Sequence, residues 1–92
     1  MAMTREEMLT HLSEDGTELN LSDLGLTDEE LRAMAPWLAE AGVTTLYVGR
    51  NQLTSLEGCP AGVTTLDVWG NQLTRAEITA FRAAHPDVTV YG

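Results

Sequence analysis

Ninety-two residues with 43% hydrophobic content suit one small globular domain and exclude a disordered or fibrous chain. The net charge is −9, from 14 carboxylates against five arginines and no lysine, which disfavours direct binding to a phosphate backbone and favours a basic partner. A lone cysteine, Cys59, excludes an internal disulfide, and no apolar run is long enough for a signal peptide or a membrane span, so a cytoplasmic chain is expected.

In chain order, residues 1–16 read as an N-terminal cap helix. It opens on the capping box Thr4-Arg-Glu-Glu7, carries Met8, Leu9 and Leu12, and ends near Gly16. Residues 17–42 follow as a degenerate first repeat, Leu19-x-Leu21-x-x-Leu24-x-Leu26, with a long return arm. Thr27 and Glu30 form a second capping box, and Leu31, Met34 and Trp37 or Leu38 fall at helical spacing behind it. Pro36 is expected to break or bend this helix, and Gly42 to close it.

Residues 41–60, AGVTTLYVGRNQLTSLEGCP, are then echoed by residues 61–80, AGVTTLDVWGNQLTRAEITA, a period of twenty. A unit of that size cannot bury its own apolar face and must stack on its neighbours. The regular repeats span 43–62 and 63–84, with Leu46-x-Val48-x-x-Asn51-x-Leu53 matching Leu66-x-Val68-x-x-Asn71-x-Leu73. Alternating apolar residues predict a short strand with one buried face, and each asparagine is placed to bond backbone groups left unpaired where the chain turns. Gly58, Pro60 and Gly62 leave the middle arm room for a tight turn. The last arm opens on a third box, Thr74-Arg-Ala-Glu77, buries Ile78 and Phe81, and stops at His85-Pro86. Residues 85–92 supply a terminal strand, Val88-Thr-Val90, giving strand spacings of 27, 20 and 22 residues from Leu19 through Leu46 and Leu66 to Val88.

The stretch CPAGVTTLDVWGNQLT resembles the short leucine-rich repeats of bacterial effector proteins, whose units read roughly LPxxLxxLxVxxNxLTxLP. The first arm, LTDEELRAMAPWLAEAG, is similar to the longer, helix-containing repeats of ribonuclease-inhibitor type. The resemblance covers about residues 17–90 and implies an α/β fold: a short leucine-rich repeat solenoid with about four parallel strands on its concave face. The cap helix would cover one end, and helices would lie on the convex side of the first and last arms. With a capped start and a truncated last rung, the chain is expected to be complete. The family works by recognition, so the resemblance implies a protein-binding surface on the concave sheet.

That surface takes the residues flanking each buried pair: Glu18, Asn20 and Ser22; Thr45, Tyr47 and Gly49; Thr65, Asp67 and Trp69; and Asp87, Thr89 and Tyr91. Adjacent rungs lie about 4.8 Å apart, which would set Trp69 beside Tyr91 and the bare Gly49, with Tyr47 diagonal to it. Tyr47, Asp67, Trp69 and Tyr91 thus form a candidate contact patch of hot-spot composition, unless the rings only cover one another on a solvated face. The second candidate is the acidic end. Residues 1–30 hold nine carboxylates against Arg5 alone. Glu6, Glu7, Asp28, Glu29 and Glu30 sit in first helical turns, where they favour the helix dipole, whereas Glu14, Asp15, Glu18 and Asp23 extend the negative surface further.

Two functions compete. A small acidic inhibitor would dock Glu6, Glu7, Glu14, Asp15, Glu18 and Asp23 on a basic surface, with a nucleic-acid-binding protein as the natural target, in the manner of DNA mimics and anti-CRISPR inhibitors. A generic leucine-rich repeat recognition or scaffold module would bind through its concave aromatic face instead. An enzyme is not expected, because no nucleophile has a base beside it in the sequence pattern, and Cys59, His11 and His85 lack partners at ligand spacing. Cys59 reads as a small buried hydrophobe. No cofactor, metal or membrane partner is expected, and the chain is read as a monomer or an edge-strand homodimer.

Overall fold

The computed structural model describes residues 4–60 and 62–92. The first three positions of the expected cap, and Ala61, lie outside the described residues. The elements run α1 (Arg5–Leu9), β1 (Glu18–Asn20), α2 (Asp28–Ala41), β2 (Thr45–Tyr47), β3 (Thr65–Asp67), α3 (Arg75–Ala84) and β4 (Thr89–Tyr91). The strands form one sheet in the order β1-β2-β3-β4, each neighbouring pair parallel, so the fold is α/β.

Each strand is three residues long and buries only its central side chain: Leu19, Leu46, Leu66 and Val90. Leu21, Val48 and Val68 follow on the same side, and with Leu31, Met34 and Leu38 of α2 they make one core cluster. Period-two burial in the strands and the Leu31, Met34, Leu38 stripe of the helix are the two patterns the sequence displays.

The asparagines knit the rungs together. Asn51, 6% exposed, donates from Nδ2 to the carbonyls of Leu21 (2.9 Å), Val48 (2.8 Å) and Gly49 (3.2 Å), and its Oδ1 accepts from the Leu24 (3.0 Å) and Leu26 (2.9 Å) amides. Asn71 repeats the arrangement one rung on, donating to Val48 (2.8 Å) and Val68 (3.0 Å) and accepting from Leu53 (3.0 Å). Each amide reaches back to the preceding rung. In the first repeat Leu24 takes the corresponding position and is 43% exposed.

All three expected helix starts are capped by threonine. Thr4 and Thr27 make full capping boxes with Glu7 and Glu30. Thr74 accepts from the Glu77 amide at 3.1 Å, but the Glu77 carboxylate turns away to accept from the Ser55 hydroxyl and the Leu56 amide, both at 3.3 Å. Asp28, at the start of α2, holds the same arm by accepting from the Thr54 amide (2.9 Å), the Thr54 hydroxyl and the Ser55 amide (3.2 Å). The helixless middle arm is therefore pinned from both neighbouring helices.

Four expectations need correction. The last rung pairs Leu66 with Val90, not Val88, so the observed spacing is 24 residues. The two extra residues are consumed where α3 hands over to the strand, in a turn closed by Val88 N–H donating to His85 O at 3.0 Å. The cap helix ends at Leu9, because the Thr10 hydroxyl bonds the Glu7 carbonyl at 2.6 Å and Asp15 accepts from Ser13 Oγ, Thr17 N–H and Thr17 Oγ1 at 2.7–3.0 Å, favouring turns over helix. Met8 alone is buried from α1, Leu9 is 41% exposed, and Leu12 joins an isolated antiparallel bridge to Leu19. Pro36 does not break α2, which continues to Ala41 with the proline exposed and ends on Gly42 at φ 78°.

Candidate functional site

The open face of the sheet carries two rows set by strand register. Glu18, Thr45, Thr65 and Thr89 form one, and Asn20, Tyr47, Asp67 and Tyr91 the other. Tyr91 therefore stands beside Asp67, not beside Trp69, and Asp87 lies in the turn before β4, off the face. This displacement is the two-residue shift of the last rung. The outcome is a carboxylate between two phenols, Tyr47 and Tyr91, with Trp69 just past the end of β3.

Trp69 is 63% exposed and Tyr91 53% exposed, far more than a packing role requires. Trp69 is positioned through its backbone: its carbonyl accepts from Arg50 N–H at 2.6 Å, and its amide donates to Asp67 Oδ1 at 3.3 Å. Gly49 is buried beside it, and a Cβ there would come within 3.1 Å of the Trp69 carbonyl oxygen. The bare glycine keeps the two rungs in close apposition and leaves an open floor between Ser22 and Trp69.

The acidic candidates separate into three groups. Glu7 and Asp15 serve local structure, Glu7 in its capping box and Asp15 in the turn before β1. The Ser13 hydroxyl, then the Thr17 amide and hydroxyl, hold the Asp15 carboxyl below its ordinary value. Glu18 belongs to the sheet face, where it accepts from the Tyr47 hydroxyl at 3.1 Å. That bond raises the Tyr47 phenol above its ordinary value, the Glu18 charge adds to it, and Asp67 contributes less. Glu6, Glu14 and Asp23 are exposed carboxylates, with Asp23 in the left-handed region at φ 59°. The structure thus brings Glu18 together with Tyr47, Asp67, Trp69 and Tyr91 on one face, and leaves Glu6 and Glu7 on α1.

Cys59 is half-buried against the core, and desolvation pushes its thiol up to about 11. The His85 ring packs on Phe81 with centroids 4.4 Å apart. Among the described residues no group of three or more His, Cys, Asp or Glu side chains converges on a point that could hold a metal ion. No helix among them is long and apolar enough to cross a membrane. What the face can do chemically is offer hydrogen-bond acceptors, two carboxylates and three aromatic rings to a ligand that carries positive charge.

Asp28 and Glu77 are the structural carboxylates that the sequence reading missed, since the arm they hold lies 26 and 21 residues away respectively. Their only local signal was a helix-start position, which capping alone would explain. Comparison of the chain with protein-family models, with curated proteins and with solved structures gave no match.

Proposed function

We propose that this chain is a non-enzymatic protein-binding module of the leucine-rich repeat type, a short solenoid whose concave sheet face docks on a basic surface of a partner protein and acts as a small acidic inhibitor of it. The observation that supports the reading best is the row Tyr47, Asp67 and Tyr91 with the exposed Trp69 beside it. Trp and Tyr supply large contact area at low entropy cost, and flanking carboxylates suit a Lys- or Arg-bearing counterpart. The parallel register and the back-reaching asparagines support the solenoid assignment. In this reading the chain works in the reducing cytoplasm and contacts no nucleic acid or membrane directly.

The exposed carboxylates Glu6, Glu14 and Asp23 favour a second reading, in which the acidic end itself occupies a Lys/Arg channel built for phosphates, as nucleic-acid mimics do. Affinity capture from a lysate of the source cells at low salt, followed by a salt series, tests both. A basic protein released by rising salt supports docking by charge. Loss of capture in Trp69→Ala with retention in a Glu6→Lys, Glu14→Lys, Asp23→Lys variant selects the face; the opposite pattern selects the acidic end. Capture indifferent to salt and to both variants would reject the two readings together.

A further inference from the structure

The two edges of the sheet are finished differently. Backbone of residues 11–13 runs antiparallel to β1 and covers its outer edge, with Ser13 N–H donating to Glu18 O at 2.8 Å and Leu12 bridging Leu19. Among the described residues β4 pairs with β3 alone, and its other edge carries no strand partner. On that side Arg82 of α3 reaches over and donates from Nη2 to the Val90 carbonyl at 2.7 Å.

Beside this contact lies a cavity of about 250 Å³ lined by Arg75, Ile78, Thr79, Arg82 and Gly92. Arg75, Thr79 and Arg82 stand four and then three residues apart, on one face of α3. Glu77 points elsewhere, into the middle arm. In a chain with 14 carboxylates and five arginines, the space along this edge is therefore lined, among the described residues, by two guanidinium groups and no acid. Gly92 also lines the cavity, and it packs so closely on Val68 that an added Cβ would come within 2.5 Å of its Cγ2.

We propose that the free edge of β4 is a second binding site, taking an extended acidic segment of a partner protein by strand addition, with Arg75 and Arg82 holding its carboxylates. An incoming strand supplies the N–H that Val90 O takes from Arg82 now, which frees that guanidinium for bidentate contact with a carboxylate. Charge complementarity selects this occupant over a second copy. Edge pairing of two β4 strands would set the arginines of both copies against each other.

An amide-resolved NMR titration of the full chain at low salt tests this, with the peptide acetyl-Val-Glu-Val-Glu-Val-Glu-amide as the probe and its lysine counterpart as control. The expected result is shifts at Thr89, Val90, Tyr91 and Gly92 with the glutamate peptide only, and affinity about tenfold weaker in Arg75→Ala, the loss expected for one charged hydrogen bond. Arg75→Ala touches the cavity lining alone, so its folding is separable from Arg82→Ala, where the edge bond is also lost. No shifts at millimolar peptide, equal shifts with the lysine peptide, or shifts confined to the Tyr47 and Trp69 face would overturn the proposal. Self-association through β4 at rising protein concentration would also overturn it, by making a second copy the occupant.

Discussion

Tyr47 donates its hydroxyl to the Glu18 carboxylate at 3.1 Å, across the first two strands of the sheet. The bond joins the acidic end of the molecule to its aromatic row. It also favours the neutral phenol, so Tyr47 is raised above its ordinary 10.0 in the folded chain. A raised phenol adds stability that is present below pH 10.0 and disappears as pH climbs through the raised value. An ultraviolet tyrosine titration of Tyr91→Phe should show Tyr47 ionising late, and adding Glu18→Gln should bring it back towards normal.

Asn51 is the most heavily used polar side chain of the fold, serving three carbonyls and two amides from a buried position. Asn51→Ala leaves these groups unpaired and is expected to cost about 3–5 kcal/mol, since each buried orphan costs roughly 1–3. Asn71→Ala should cost less, because Asn71 is only half-buried and accepts from one amide. Urea unfolding with an unchanged m-value and a lowered midpoint would measure both.

Acid should unfold the chain through Asp28 and Asp15. Burial of Asp28 works against its ionisation, but the Thr54 hydroxyl and amide, the Ser55 amide and the Arg32 charge outweigh it and hold the carboxyl below 3.8. Asp15 is lowered from the same value by Ser13 and Thr17. Depressed carboxyls give stability that is present above their unfolded value and is lost as pH falls through the folded one, so the loss falls below about pH 4. Thermal midpoints measured from pH 6 downward should drop there, and less steeply in Asp28→Asn, which has no carboxyl to protonate at that position.

Cys59, with its thiol pushed up to about 11, should be almost inert to alkylation at neutral pH in the folded protein. Mass spectrometry after iodoacetamide treatment should find slow labelling in buffer and rapid labelling in urea. Cys59→Ser should then bind the partner as wild type does.

The centre of the fold was legible because it is written twice. Leu46 with Val48, Leu66 with Val68, and the two asparagines repeat at a spacing of twenty, and register follows from that. The ends were harder to read. Val88 and Val90 are equally apolar, and only the turn from His85 to Val88 decides which one enters the sheet row. Helical spacing of Met8, Leu9 and Leu12 predicts a longer cap helix than forms, because the Thr10 and Asp15 side chains bond local backbone instead. Of the candidate site, period-two alternation placed Tyr47, Asp67 and Trp69 on the open face, while the partner of Tyr91 depended on the register that the sequence left ambiguous.

The docking role of the open face is tested most directly by the affinity of the captured basic partner for wild type and for Trp69→Ala, measured at two salt concentrations. The account predicts a loss of at least about 2 kcal/mol, roughly thirtyfold, in Trp69→Ala, and weaker binding of wild type at the higher salt. Equal affinity for the two proteins, unchanged by salt, would contradict it.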